Sequence, residues 1–140
     1  MKVLLGCDGS ECSDRAVKFV ASILRDQVRD LRVTLVHVDI PMLDRVASSL
    51  GEETVTRIHT ENSDFALKNA RARLKRAGVV FGEAYHVGNV AQQICQLAEK
   101  GRFEVIVMGS HGRTALNSLF LGSVTSRVLA ECKVPVIVIR

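Results

Sequence analysis

Glycine and hydroxyl residues concentrate in one stretch of this chain. It begins with Met108-Gly109-Ser110-His111-Gly112-Arg113 and ends with Gly122-Ser123-Val124-Thr125. Nine residues separate Gly112 from Gly122. Gly109 lets the chain turn sharply where an apolar run ends, and Gly112 has no Cβ, so the backbone amides beside it can close on a ligand. Backbone N–H groups gathered in this way bind anions such as phosphate.

A helix is predicted to begin at Gly122-Ser123 and to cover about 123–132. Its first turn presents N–H groups without intrahelical partners, together with a partial positive charge. Ser123 and Thr125 add hydroxyl donors, and Arg113 adds a formal charge opposite bound phosphates. These features predict a phosphate cradle. The alternative is that the glycines only serve turns and that Ser123 is an ordinary N-cap.

The spacing differs from two widespread phosphate motifs. No Gly-Lys-Ser/Thr follows the glycines, as in a P-loop, and no GxGxxG follows the first strand. Asp8, directly after that strand, either binds a ligand or caps the following loop. His111 is predicted to contact a ligand rather than to catalyse, because no carboxylate is placed near it. His37 is predicted to be a core or rim histidine, and His59 and His86 to have no chemistry.

Strands and helices alternate along the chain, which is typical of an α/β protein. Strands are predicted at 2–7, 32–38, 79–87, 103–108 and 134–139, and helices after residue 13 and at 54–77, 90–100 and 123–132. This alternation implies right-handed crossovers and a mostly parallel sheet covered on both faces. In such sheets ligands bind outside the carboxyl ends of the strands, where the strand order reverses. The loops after the first and fourth strands are therefore the expected site.

Local signals give further detail on the helices. The first helix is predicted to have Ser13 as its N-cap and to bury Ile23 with its other apolar residues. The long helix is predicted to bury Phe65 and to end at Gly78. The connection 39–53 is predicted to be mobile or partly helical.

Composition narrows the possible functions. The 140 residues, 47% hydrophobic and 24% charged, suit one globular domain over 1–140. A net charge of only +4 and an aromatic content of 4% argue against nucleic-acid binding, and Arg71–Arg76 is predicted to be a solvated helix face. Apolar runs fall far short of the roughly 20 residues that a membrane span needs. Without a signal-peptide pattern, the expected location is the cytoplasm.

The sequence resembles the universal stress protein family along essentially its whole length. The spacing Gly109-x2-Gly112-x9-Gly122-Ser123 matches the family's ATP-binding signature at every fixed position. Other typical segments are Val3-Leu4-Leu5, Asp8-Gly9-Ser10, Leu35-Val36-His37-Val38 and Val134-Pro135-Val136-Ile137-Val138-Ile139. The resemblance implies a three-layer, Rossmann-like open sandwich of the adenine nucleotide alpha hydrolase type. Its sheet would have five parallel strands in the order 3-2-1-4-5.

The resemblance also implies site residues of the ATP-binding subgroup. In the loop after strand 4 these are Met108, Gly109, His111, Gly112 and Arg113, of which the last four lie along the ribose and phosphates. At the helix N-terminus the residues that hold the phosphates are Gly122, Ser123, Val124 and Thr125. Asp8 faces the ribose–adenine end, and Val38 touches the adenine edge, largely through its backbone. The sequence shows no acidic metal ligand in the phosphate loop, so Mg²⁺ or Mn²⁺ is expected to bind through phosphates and water.

Four functions remain in competition at this stage. The leading one is an ATP-binding regulatory protein of the stress response, and the second is a slow ATPase or other nucleotide-dependent enzyme. A flavodoxin-like redox carrier would need aromatic residues in its loops, which are almost absent. A structural dimer without a ligand is the fourth.

The last predicted strand, 134–139, points to a homodimer. It is apolar on both faces, and in the order 3-2-1-4-5 it lies at a sheet edge, which a soluble protein must cover. Antiparallel pairing with a second copy would satisfy its free backbone groups.

Overall fold

The computed structural model describes residues 1–112 and 121–140. Its five strands form one parallel sheet in the order β3-β2-β1-β4-β5, which confirms the expected topology. The strands are β1 (Lys2–Gly6), β2 (Arg32–Asp39), β3 (Phe81–Val87), β4 (Val105–Gly109) and β5 (Val136–Ile139). Because β2 and β4 flank β1 on opposite sides, the strand order reverses between β1 and β4, and ligands of such sheets bind at that point.

Helices cover both faces of the sheet. They are α1 (Glu11–Phe19), continued by a π-helical turn (Val20–Leu24) and by α2 (Arg25–Gln27), then α3 (Asp44–Leu50), α4 (Glu52–Arg76), α5 (Val90–Lys100) and α6 (Ser123–Glu131). Successive strand residues point to opposite faces, so Val3 and Leu5 pack into one core and Leu4 packs into the other. The first core includes side chains of α1 and α4, and the second includes side chains of α5 and α6. The result is the expected three-layer sandwich.

The first helix begins earlier than predicted. Ser10, not Ser13, is the N-cap, because the Ser10 side chain accepts a hydrogen bond from the N–H of Ser13. Ser13 instead donates its hydroxyl hydrogen to the Ser10 carbonyl, at 2.9 Å. Ile23, predicted to be buried, is 57% exposed, since the buried stripe runs through Val20 and Leu24 and leaves Ile23 on its flank.

In α4 the predicted inward face is partly wrong. Phe65 is 71% exposed, whereas Leu67 is fully buried, because two helical positions are about 200° apart around the axis. The helix ends next to Gly78, whose φ of +68° is a conformation that glycine adopts readily. The connection before α4 is partly helical, as α3 shows. Arg71, predicted to be solvated, makes ion pairs with Asp64 and Glu83.

Of the helices in the described ranges, none is both long enough and apolar enough to cross a membrane.

Candidate functional site

A cleft of about 260 Å³ lies at the carboxyl ends of β1, β2 and β4. Eight of the predicted site residues line it: Asp8, Val38, Met108, Gly109, His111, Gly112, Val124 and Thr125. Gly122 and Ser123 lie at the start of α6, outside the lining. Arg113 falls outside the described residues. The rest of the lining comes from Gly6, Cys7, Ser13, Val36, His37, Asp39, Ile40, Val90 and Ile94.

Gly109 is required by packing rather than by a turn. It is the last residue of β4, and its φ is not positive. A Cβ at this position would lie 2.6 Å from the carbonyl carbon of Cys12 and 2.8 Å from its Cβ. The absence of a side chain therefore lets α1 pack directly against the end of β4, at the floor of the cleft.

Gly112 brings the loop after β4 against the loop after β1. A Cβ at Gly112 would lie 2.9 Å from Oδ2 of Asp8. The other oxygen of that carboxylate, Oδ1, accepts the N–H of Ser10 at 3.0 Å, which fixes the turn into α1. Asp8 thus both caps its loop and faces the cleft, so the two interpretations of Asp8 are compatible.

The N-terminus of α6 directs backbone groups toward the same region. Its N-cap, Gly122, has no side chain to accept bonds from the first turn, and the helical ladder begins with the N–H of Ser126 bound to the Gly122 carbonyl. The N–H groups of Ser123, Val124 and Thr125 therefore have no intrahelical acceptor. Such a helix terminus attracts anions.

The Thr125 hydroxyl, predicted to be a donor at the helix N-terminus, makes a hydrogen bond within the protein. It is buried and donates to the Gly109 carbonyl at 2.9 Å. A hydroxyl has one hydrogen to donate, and here that hydrogen joins α6 to β4. The contact of Thr125 with a ligand stays a prediction.

Ser110 connects three parts of the fold, which the sequence analysis did not predict. Its N–H binds the Ile139 carbonyl at 2.7 Å, and its carbonyl accepts the N–H of Gly122 at 2.8 Å. Its side-chain oxygen lies 2.9 Å from Nδ1 of His111. Ser110 therefore joins the end of β5, the start of α6 and the glycine loop. Its place between Gly109 and His111 was the only available signal.

At the other end of the cleft, Val38 presents its backbone. In a parallel strand, alternate residues direct their backbone groups to opposite neighbours. The carbonyl of Val36 binds the N–H of Cys7 at the end of β1, and the carbonyl of Asp39 accepts the N–H of Gly88 on the β3 side. Val38 therefore directs its N–H and C=O toward the β1 side, beyond the last residue of that strand. There they face the cleft.

Polar side chains of α4 meet the end of β2 beside Val38. Nδ1 of His59 lies 2.7 Å from Oδ2 of Asp39, and the Asn62 amide donates to the same oxygen at 2.8 Å. The N–H of Ile40 binds Oδ1 at 2.9 Å. Burial alone would raise the pKa of Asp39, but the hydrogen bonds from Asn62, His59 and Ile40 outweigh it and hold that pKa below its usual value.

His37 and Cys7 also line this part of the cleft. His37 is buried, with Nδ1 3.0 Å from the Ser63 hydroxyl, and fits the prediction of a core or rim histidine. His59, in contrast, was predicted to have no chemistry, yet it lies against a carboxylate at the cleft. Burial, and then the nearby Asp8 charge, raises the pKa of the Cys7 thiol well above its usual range, so Cys7 is an apolar wall residue.

The cleft thus combines apolar walls, two carboxylates and a set of backbone donors. Val38, Ile94, Met108 and Val124 suit a planar apolar ring, and the glycine loop with the α6 terminus suits phosphate. Within residues 1–112 and 121–140, no three His, Cys, Asp or Glu side chains gather as a metal cluster.

Comparisons with known proteins agree with this fold. The family model described as "Universal stress protein family" matches residues 1–140. A universal stress protein of Thermus aquaticus is 32% identical, and the match covers 99% of this chain and 97% of that protein. The solved structure of MJ0577 from Methanocaldococcus jannaschii has a TM-score of 0.80 at 30% identity, covering 99% and 94% of the two chains. A universal stress protein solved in complex with cAMP has a TM-score of 0.67 at 25% identity, covering 100% and 97%.

Proposed function

This chain belongs to the universal stress protein family, and on that premise we propose that it binds ATP with Mg²⁺ or Mn²⁺ in the cleft. The observation that carries the proposal is the backbone cradle in which Gly112 lies against Asp8, beside the N-terminus of α6. A side chain at Gly112 would fill the space between these loops. The relative solved with cAMP supports an adenine nucleotide as the class of ligand.

Each part of the nucleotide has a matching part of the cleft. The phosphates would be held by the backbone of the glycine loop and of the α6 first turn, with Gly122, Ser123 and Arg113 beside them. The ribose would face Asp8, and the base would meet the backbone of Val38. The divalent ion would bind mainly to phosphate oxygens and water, as Mg²⁺ commonly does.

We propose that the bound nucleotide acts as a regulatory signal in a stress response and is hydrolysed slowly or not at all. A general base works best when its pKa lies near the working pH. The pKa of Asp39 is held low by its hydrogen bonds, which makes this carboxylate a weak base. Steady-state turnover is expected well below the 1–10³ s⁻¹ of typical enzymes. Turnover of several per second that Gly122→Val abolishes would favour the alternative, an ATPase.

Calorimetric titration with ATP and Mg²⁺ tests the site. Gly112→Val places methyl groups against Asp8 and is expected to weaken binding at least about tenfold, or roughly 1.4 kcal/mol. The matched control is Gly82→Val in β3, where a Cβ would meet nothing within 4 Å. If a folded Gly112→Val variant binds ATP as tightly as the parent, the nucleotide site lies elsewhere.

We also propose a homodimer paired through β5. This strand lies at the edge of the sheet next to β4, and its four residues are all half-exposed. Ile137 and Ile139 pack toward the first core and Val136 toward the second, so both faces of the edge are apolar. Pairing with a second copy would cover them and satisfy the open backbone groups.

Val138→Lys tests this interface, because it would place two like charges close to the two-fold axis. Sedimentation is expected to show a folded monomer. Tyr85→Lys, on the opposite edge strand β3, is the control and is expected to leave the dimer intact. An unchanged association constant in Val138→Lys would place the interface on another surface.

A further inference from the structure

The helix α4 changes character along its length. Over the core it buries Ala66, Leu67, Ala70 and Leu74. One to two turns earlier it presents His59, Asn62 and Ser63 to the end of β2. Apolar side chains would suffice to pack this helix on the sheet, as the later turns show. The polar turn therefore calls for an explanation beyond packing.

The polar turn converges on a single residue, Asp39. The side chains of His59 and Asp39 are only 12% and 19% exposed, and the Oδ2 oxygen of Asp39 receives both His59 and Asn62. The other carboxylate oxygen holds the N–H of Ile40, and the backbone carbonyl holds the N–H of Gly88. Asp39 thus joins α4, its own loop and the turn from β3 into α5.

The position of Asp39 connects these hydrogen bonds to the cleft. It lies between Val38, whose backbone faces the cleft, and Ile40, which lines the cleft although 72% of it is exposed. Beyond Asp39 the chain leaves the sheet, so little apolar packing holds it there. Hydrogen bonds to a carboxylate are among the stronger polar contacts in a protein, and here they fix the last residue before the chain leaves the sheet.

We propose that His59 and Asn62 are positioning residues for the base-binding end of the cleft. They hold Asp39, and through Asp39 they keep the backbone of Val38 in the orientation that meets the nucleotide base. This inference rests on the proposed function, which it deepens. Because both side chains bond to Asp39 at the end of β2, they influence ligands that carry a base and leave the binding of bare phosphate groups unchanged.

The experiment compares two ligands in four proteins. The parent, His59→Ala, His59→Asn and the control Glu61→Ala, an exposed position on the same helix, are titrated with Mg²⁺–ATP and with Mg²⁺–tripolyphosphate. His59→Ala is expected to weaken ATP binding about tenfold and to change tripolyphosphate binding less than about twofold. His59→Asn places an amide N–H near the position of Nδ1 and is expected to restore most of the ATP affinity. Glu61→Ala is expected to bind both ligands as the parent does.

A second measurement does not depend on the ligand. Amide hydrogen exchange at residues 38–40 of the nucleotide-free protein is expected to be faster in His59→Ala and in Asn62→Ala, and to return toward the parent rate in His59→Asn. Asn62 is exposed, so its replacement leaves a folded protein even where His59→Ala does not.

Three results would overturn the proposal. An equal loss of ATP and tripolyphosphate affinity would show a general loss of structure, and unchanged ATP affinity with unchanged exchange would show that the cluster does not position the base end. Failure of His59→Asn to restore either property would also contradict it. A parent that binds neither ligand would instead refute the proposed function, and with it this role.

Discussion

The two ends of the cleft differ in the groups that form them: backbone atoms at one end and polar side chains at the other. At the end that we propose for the phosphates, here called the phosphate end, backbone atoms carry the proposed contacts, and Gly109 and Gly112 have no side chains. At the end that we propose for the base, here called the base end, side chains of α4 fix the carboxylate of Asp39 on β2. A side chain added at Gly109 or Gly112 would collide with its neighbours. A side chain in the Asp39 cluster can be replaced by another that makes the same hydrogen bond. Substitutions at the two ends should therefore fail in different ways.

The largest loss of stability is expected for a substitution at Gly109, at the phosphate end. Gly109→Ala puts a Cβ 2.6 Å from the carbonyl carbon of Cys12, and rigid backbone cannot give way as a side chain can. Such overpacking should lower the free energy of unfolding by roughly 3 kcal/mol, measured by urea denaturation. Gly82→Ala, with open space around its Cβ, should change it by less than about 0.5 kcal/mol. Equal stability of the two variants would contradict the packing role of Gly109.

A smaller effect tests whether a hydroxyl at the phosphate end is structural. Thr125→Val removes the bond to the Gly109 carbonyl and should lower the free energy of unfolding by about 1.5 kcal/mol, because a buried carbonyl loses a donor. Thr125→Ser keeps the hydroxyl and should retain most of that stability. Since both variants keep the backbone N–H, ATP affinity should change less than about twofold. A large affinity loss with unchanged stability would assign the hydroxyl to the ligand.

The contrast between the two ends also explains what could be predicted from the sequence. The strand–helix alternation predicted the sheet, and the glycine spacing predicted that Gly109 and Gly112 line a cleft at its carboxyl edge, because these signals lie within short segments of the chain. Phosphate binding there stays a prediction. The base end depends on His59 meeting Asp39 across 20 positions of the chain, and no spacing signals that contact. The errors at Ile23 and Phe65 have a similar cause. Helical periodicity gives a stripe, but tertiary packing decides which edge of the stripe is buried.

The contribution of Asp39 at the base end to the free energy of unfolding should depend on pH, whereas that of Gly109 at the phosphate end should not. The pKa of Asp39 is lower in the folded protein than its usual value of about 3.9. A lowered pKa means that the ionised carboxylate stabilises the fold above pH 4, and that this contribution is lost as the pH falls through the folded-state pKa. Asp39→Asn should therefore cost about 1.5 kcal/mol at pH 7.

The measurement is a series of denaturation curves between pH 7 and pH 2. The difference between the parent and Asp39→Asn should shrink below pH 4 and nearly vanish at the acid end. Gly109→Ala, whose effect is steric, serves as the control and should keep its difference throughout. A constant gap for Asp39→Asn would mean that its charge contributes nothing to stability.

The smallest effect is expected from a polar cluster that resembles the base end in chemistry but lies outside the cleft. Arg71 of α4 bonds Glu83 on the edge strand β3 at 2.7 Å, and the Tyr85 hydroxyl donates to the same carboxylate at 2.7 Å. Burial, and then hydrogen bonds to Glu83 and Asp64, raises the pKa of Tyr85 to about 12. Tyr85 is the one tyrosine of the chain, so the absorbance of its ionised form reports this cluster alone.

Glu83→Gln removes the carboxylate that is the largest influence on Tyr85 after burial. The pKa of Tyr85 should fall from about 12 toward its ordinary value of about 10, while stability changes by less than about 1 kcal/mol because the ion pairs are partly exposed. ATP affinity should stay at the parent value, in contrast to the loss expected for His59→Ala. If Glu83→Gln weakened ATP binding as much as His59→Ala does, any polar contact of α4 with the sheet would affect the cleft, and the distinction drawn for Asp39 would fail.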